Sequence, residues 1–375
     1  MADPSFRDGT RVVRAGLPEP EQGEPFLPGP TFAAPYHFSG PPNSSEYVYG
    51  RYGNPTWTAY ESALGELEGG SVVLFSSGMA AATAVLLPRL RPGDVLVAPA
   101  DCYMGVRSLA RSHLAERGVE VRLVPTADPG FADAIEGASL VWLESPSNPG
   151  LDVCDLALLI ERAHATGAPV AVDNTFATPL AQRPLELGAD FVMASATKYL
   201  SGHSDLVLGY VATRDPAEVE QLVHWRIHAG SIPGPFEVWL AHRSLPTLDI
   251  RLERACGTAQ ALAERLAGRD DLEGLRYPGL PGDPAHELAS RQMTRYGTIV
   301  CFTLASEQQA EGFLSACRVI NQATSFGGVH SSAERRARWG GDDVPEGFIR
   351  LHAGCEDPAD VIADVEQALD AATSR

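Results

Sequence analysis

The chain has 375 residues, 44% apolar and 21% charged, a composition that can bury a full core and excludes disordered and fibrous classes. Its formal charge of -19 repels phosphate backbones and anionic lipid, so nucleic acid and membrane surfaces are disfavoured and small molecules are the expected partners. No apolar run approaches the ~20 residues of a spanning helix, and the opening residues read as neither a basic nor an apolar leader, so a cytoplasmic protein is expected. The six cysteines, Cys102, Cys154, Cys256, Cys301, Cys317 and Cys355, are scattered without C-x-x-C spacing, which predicts reduced, inert thiols. His286-Glu287 begins like a zinc-protease motif, but Ser290 stands where the second histidine belongs, so no metal centre is expected.

Residues 1–45 are rich in Pro and Gly and cannot bury a core alone; they read either as an arm lying on a partner subunit or as a free tail. Strands are then predicted over 72–75, 95–98, 119–124, 140–143, 170–172, 191–194 and 207–211. Helices are predicted from 79 and over 106–117 and 155–166. Short continuous apolar strands between amphipathic helices predict an α/β fold with a mainly parallel sheet covered on both faces, in a large domain over 46–245. The run Gly230-Ser231-Ile232-Pro233-Gly234 breaks this pattern, and a helix over 247–267 with Leu252, Ala255, Ala259 and Leu262 on one face reads as a connector. Segments at 298–303, 308–316, 348–352 and 358–372 predict a smaller α+β domain over 246–375. No period of 20 to 50 residues recurs, which excludes solenoids and propellers.

In an open α/β sheet, ligands sit beyond the carboxyl ends of the strands, and three runs fall at such ends. Ser76-Ser77-Gly78-Met79 joins a strand to a helix, so the N–H groups of Gly78 and Met79 lie at the positive helix end, free for phosphate; alone, the run is equally an ordinary serine cap. Asp173 ends an apolar strand, where a buried carboxylate needs a cationic partner such as a pyridinium N–H, or serves as a strand-end cap. Lys198, in Ser195-Ala196-Thr197-Lys198-Tyr199, follows another apolar strand. A desolvated amine there has the lowered pKa that a Schiff base with pyridoxal phosphate requires, whereas a solvated surface lysine is the plain alternative. An aspartate that keeps the ring nitrogen protonated makes that ring an electron sink for a carbanion at Cα. The glycine patterns of dinucleotide sites and P-loops are missing, so those readings lack their key contacts.

With Asp173-Asn174-Thr175-Phe176, Ser195 to Tyr199, Gly202-His203-Ser204-Asp205, Tyr49-Gly50-Arg51-Tyr52-Gly53-Asn54-Pro55-Thr56 and Ser77-Gly78-Met79 in register, the chain resembles the Cys/Met-metabolism family of pyridoxal-phosphate enzymes from about Thr10 to Leu369. The resemblance implies a type I fold like that of aspartate aminotransferase: an N-terminal arm, a cofactor domain and a small C-terminal domain, assembled as a tetramer of two active dimers. It also implies Lys198 as the Schiff-base lysine, Asp173 as the pyridinium partner, and Ser77, Gly78, Met79, Ser195 and Thr197 as the phosphate cup. Tyr49 and Arg51 match the pair that reaches a neighbouring subunit's phosphate, for which a planar guanidinium is suited. Tyr103 matches the tyrosine stacked on the ring, Asn148 a neighbour of its phenolic oxygen, and Arg350, with Ser325 alongside, the fork for the substrate α-carboxylate. A core tyrosine and a turn asparagine are the ordinary alternatives for Tyr103 and Asn148.

The family's members include cystathionine γ-lyases, γ-synthases and β-lyases and methionine γ-lyases. Gly105, two residues after Tyr103, is as in the cystathionine enzymes, where methionine γ-lyases carry cysteine. His330 and Val48 replace acidic residues expected to anchor a distal ammonium, and His330 reads as a substrate contact or a structural histidine. The loop over 331–347 looks short and basic, which would alter the entrance. The resemblance therefore implies γ-elimination on a sulfur-containing amino acid, cystathionine first, with γ-synthase, methionine γ-lyase and a non-catalytic cofactor-binding protein as alternatives.

Overall fold

The computed structural model describes residues 6–41 and 44–373. Of the expected arm, residues 1–5, 42 and 43 lie outside the described residues.

Seven short apolar segments form the first sheet: β1 (Ser71–Phe75), β2 (Val95–Pro99), β3 (Glu120–Val124), β4 (Leu140–Glu144), β5 (Val170–Asp173), β6 (Phe191–Ala194) and β7 (Gly209–Thr213), in the order β1-β7-β6-β5-β4-β2-β3. Strands β3, β2, β4, β5 and β6 pair in parallel, and β7 runs antiparallel between β6 and β1. Along β1, Val72 and Leu74 join one buried cluster while Val73 and Phe75 join another, the alternation of a sheet covered on both faces. The sheet is thus mainly parallel, as its apolar runs predict. Strand β7 begins two residues later than expected. The Thr197 hydroxyl accepts from Leu208 N–H at 2.9 Å and donates to Leu208 C=O at 3.1 Å, so that backbone is satisfied before the ladder starts. Val207 is left exposed.

Four helices around this sheet open on side chains that accept one of their first free N–H groups: Asn54 for Pro55–Glu68, Ser77 for Gly78–Arg89, Asp155 for Leu156–Ala165 and Asp215 for Pro216–Ala229. The 19-residue helix Leu248–Leu266 buries Leu252, Ala255, Ala259 and Leu262 on one face. It leads to a second sheet, ordered β10-β11-β12-β9-β8, built from β8 (Glu273–Arg276), β9 (Ile299–Thr303), β10 (Asn321–Gln322), β11 (Ser332–Arg335) and β12 (Phe348–His352). Its core packs Val300, Phe302, Ile349 and Leu351 against Phe313, Val361, Val365 and Leu369.

Part of the N-terminal stretch is not a free tail. Helix Asp8–Arg14 docks on its own chain by burying Val12, pairing Asp8 with Arg183 and donating from Arg11 to Glu66 C=O. The segment expected as a basic loop over 331–347 also differs, because it folds as β11 followed by the helical turn Arg336–Trp339. Its arginines meet carboxylates distant in sequence or across the turn: Arg335 pairs with Glu307, Glu311 and Glu346, Arg338 with Glu311, and Arg336 with Glu334 and Asp342. Glu334, Asp342 and Glu346 belong to the segment itself, so counting beyond Glu-Arg-Arg-Ala-Arg-Trp already cancels its positive charge; Glu307 and Glu311 come from the helix Glu307–Ala316. Among the described residues no helix is long and apolar enough to cross a membrane.

Candidate active site

Because β2, β4, β5 and β6 are parallel, their carboxyl ends share one edge, and a cavity of about 380 Å³ opens there. Ser77, Gly78, Met79, Tyr103, Asn148, Asp173, Ser195, Thr197, Lys198, Ser325 and Arg350 all line it. The sequence also pointed to Tyr49, Arg51 and His330, and the structure places these elsewhere. Tyr49 is exposed and Arg51 Nη1 donates to Ile227 C=O at 3.1 Å. His330 lines a second cavity of about 970 Å³ that shares Thr197, Val207, Thr324, Ser325 and Phe326 with the first.

At one end of the cavity Ser77 caps its helix, its Oγ accepting from Ala80 N–H at 3.0 Å. The N–H groups of Gly78 and Met79, in the first turn, then have no partner within the helix. A Cβ added to Gly78 would lie 2.9 Å from Ser195 Cβ, so only glycine lets helix and strand end approach this closely. This cradle of backbone donors and small hydroxyls fits a phosphate group. The Thr197 hydroxyl hydrogen goes to Leu208 C=O, so Thr197 would reach a phosphate only by sharing or redirecting that hydrogen.

Asp173, at the end of β5, is buried and accepts from Thr175 N–H at 2.9 Å. Burial pushes its carboxyl up to about 6 despite Thr175 and Lys198, which favour the charged form. A cationic ring nitrogen fits this position, since it would offset the desolvation. Lys198 lies in the turn after β6, held by its N–H bond to Ser195 C=O at 3.1 Å and by Gly202 N–H to its own C=O at 2.8 Å. Its Nζ donates to Ser325 Oγ at 2.6 Å and lies 5.1 Å from the centroid of Phe326. Burial, then the nearby Arg350 charge, lowers the amine to about 8. A neutral population at ordinary pH follows, as a nucleophilic lysine needs.

The second sheet contributes Arg350. Arg350 on β12 faces Glu334 on β11 in register, its guanidinium donates to Glu334 and to Asn148 Oδ1 at 2.6 Å, and its Cζ stands 5.1 Å from the Phe326 centroid. Burial lowers its pKa, countered mainly by Glu334. Burial would raise the Glu334 carboxyl, yet Arg350 and Arg336 together hold it below its usual range.

Sequence reasoning passed over Glu144, Arg336 and Glu334. Glu144 pairs in register with Asp173 and accepts from Tyr103 N–H at 2.8 Å. Burial and the Asp173 charge push its carboxyl well above the usual range. The strand-end rule that singled out Asp173 applies equally to Glu144, so its signal was present. Arg336 and Glu334 carried none, being hidden in a charged run that reads as solvated.

The chain matches the Cys/Met metabolism PLP-dependent enzyme family over residues 10–370. It is 57% identical over 371 residues to a Streptomyces coelicolor protein named "Putative cystathionine gamma-lyase", covering 98% of this chain and 94% of that one. It is 40% identical over 378 residues to a cystathionine γ-synthase of Mycobacterium tuberculosis, covering 96% of each. Among solved structures, apo CalE6, a methionine γ-lyase from Micromonospora echinospora, superposes with a TM-score of 0.91 at 37% identity, covering 97% of this chain and 99% of that one. The two-sheet α/β architecture is accordingly the type I fold of pyridoxal-phosphate enzymes, and the protein is a member of the Cys/Met metabolism family of pyridoxal-phosphate-dependent enzymes.

Proposed function

We propose that the protein catalyses γ-elimination on L-cystathionine, which with water gives L-cysteine, 2-oxobutanoate and ammonia. The observation that carries this choice is the 57% identity, over 98% of the chain, to a relative bearing a cystathionine γ-lyase name. The convergence of Lys198, Asp173 and Arg350 on one cavity supplies the chemistry.

Bound pyridoxal phosphate supplies an electron sink for the pair left at the substrate Cα. In our reading Ser77, Gly78, Met79, Ser195 and Thr197 hold its phosphate, and Asp173 keeps its ring nitrogen protonated. Lys198 Nζ, with its lowered pKa, would take the proton from Cα, give it up again on the same face, and only then, neutral once more, take one from Cβ. Arg350 forks onto the α-carboxylate beside Ser325, and uniform binding of that carboxylate sets affinity. Asn148 gives its Oδ1 to Arg350, which leaves its Nδ2 for the cofactor's phenolic oxygen. Tyr103 stacks on the ring and protonates the departing thiolate. His330, on the adjoining cavity, is assigned to the far end of the substrate.

We further propose that two copies share each site, paired into a tetramer. Tyr49 and Arg51 lie away from their own chain's cavity, and the second cavity reaches Ser76 and Thr197 beside the phosphate cradle, where the partner's arginine would come in. Sedimentation equilibrium tests the assembly.

The γ-synthase named in Mycobacterium tuberculosis supports a second reading, in which cysteine replaces the Cγ group of an activated homoserine. The purified holoenzyme is incubated separately with L-cystathionine, L-methionine, L-homocysteine, and an activated homoserine ester plus cysteine, and the thiol and keto acid are identified. Release of cysteine and 2-oxobutanoate from cystathionine is expected. If cystathionine is inert and instead accumulates from the ester, the γ-synthase reading replaces ours.

A further inference from the structure

Five side chains of alternating charge form a continuous line from the segment that carries Tyr103 to the arginine of the cavity. Arg107, four residues after Tyr103, pairs with Asp342; Asp342 also accepts from Arg336 Nε at 3.0 Å; Arg336 Nη1 donates to Glu334 Oε1 at 2.9 Å; and the same Oε1 accepts from Arg350. Each of the five side chains is at most 7% exposed. The line is tied down at its first end, where Arg107 Nε donates to Cys102 C=O at 2.8 Å, the carbonyl just before Tyr103. Three cations facing two anions leave one positive charge over, the complement of a single carboxylate.

A buried charge is held by its partners alone, so each pair in such a line fixes the next. Without the charge of Asp342, Glu334 is the one carboxylate left to Arg336 among the described residues, and Glu334 is the group that orients Arg350. We propose that Asp342 is a positioning residue: through Arg336 and Glu334 it sets the guanidinium of Arg350 for the substrate carboxylate, and through Arg107 it fixes that setting relative to Tyr103. The inference rests on Arg350 being the carboxylate fork. Asp342 itself touches no substrate, and Lys198 and Asp173 stand outside the line.

The test uses the holoenzyme and L-norvaline, an amino acid without a Cγ leaving group, whose binding is read from the change in cofactor absorbance. In Asp342→Asn the norvaline dissociation constant is expected to rise about tenfold or more, as for loss of uniform binding. The absorbance without amino acid should stay as in the parent. In an Arg350→Lys background, which keeps a cation, Asp342→Asn should add less than about twofold, the non-additivity of residues acting through one another. An equal loss in both backgrounds, or unchanged norvaline binding with only a lower Tm, overturns the proposal. Should Asp342→Asn not fold, Arg107→Gln cuts the same line at its far end and carries the same expectation. Should Arg350→Lys alone leave norvaline binding unchanged, the carboxylate-fork reading fails first, and separately.

Discussion

Lys198 Nζ and Ser325 Oγ stand 2.6 Å apart although 127 residues separate them in the chain, so the amine after β6 is oriented by the segment that leads into β11. Ser325 holds a left-handed backbone, with φ of 79°, a conformation that costs a non-glycine residue energy. Its hydroxyl accepts from the charged amine, and burial lowers that amine to about 8. Only the neutral amine attacks an aldehyde. The rate at which apoprotein takes up pyridoxal phosphate should therefore rise about tenfold per pH unit below that value and level off above it. In Ser325→Ala the bend should move to lower pH, because an acceptor that favours the cation is gone. A bend in the parent protein at the ordinary lysine value would contradict this account.

Asp173 makes a different prediction. Asp173→Asn preserves shape and the Thr175 contact but removes the charge that a ring nitrogen would meet. The variant should still bind cofactor through the phosphate cradle, while kcat on cystathionine falls by about 100-fold or more, the scale of losing a preorganised electrostatic partner. Steady-state kinetics on cofactor-saturated protein decide it, and retained kcat would remove Asp173 from the chemistry.

Glu68 lies outside the site and predicts a pH dependence of stability. It is fully buried, accepts from the Tyr210 hydroxyl, and its Oε2 has no hydrogen-bond partner among the described residues. Burial pushes its carboxyl from 4.5 up to about 7, so the folded chain holds this proton more tightly than the unfolded chain does. The stabilisation is complete below the unfolded value of 4.5 and is lost as pH rises through about 7, a contribution of about 3 kcal/mol in all. Glu68→Gln should flatten this component of the pH profile of Tm and stabilise the protein at alkaline pH. An unchanged slope would show that Glu68 is not its source.

Gly209, the first residue of β7, packs its Cα against the phosphate cradle. A Cβ there would come within 2.7 Å of Gly78 Cα and closer still to Ser77 C=O, both backbone and unable to turn aside. Gly209→Ala should weaken cofactor binding by tenfold or more, read by equilibrium dialysis, and lower Tm as overpacking does. Normal cofactor affinity would mean that the cradle tolerates displacement.

Strand ends were the most legible part of the site. Asp173 and Lys198 each follow an apolar run, and the cradle at Gly78 opens a helix, so local pattern alone put them at one edge. Arg350 was legible only through resemblance, because nothing local distinguishes it from any other arginine within a strand. Glu334 and Arg336 were illegible: Glu-Arg-Arg-Ala-Arg-Trp has the composition of a solvated loop, and only the folding of its own turn, which brings Trp339 onto Glu334 and Asp342 onto Arg336, together with Arg350 from the neighbouring strand, makes Glu334 and Arg336 a buried network. Helix Pro55–Glu68 escaped as well, since its buried face mixes Thr56, Trp57, Tyr60, Ala63 and Glu68 with leucines and blurs the apolar period.

The antiparallel placement of β7 has a mechanical consequence. Since β7 lies between β1 and β6, the connection over 195–208 begins beside the reactive amine and finishes beneath the helix start at Gly78, so one short span gauges the separation of aldehyde and phosphate anchors. Adding or deleting a single residue in that span would detune both anchors together, and anyone grafting this catalytic unit onto another scaffold would have to transplant the span whole.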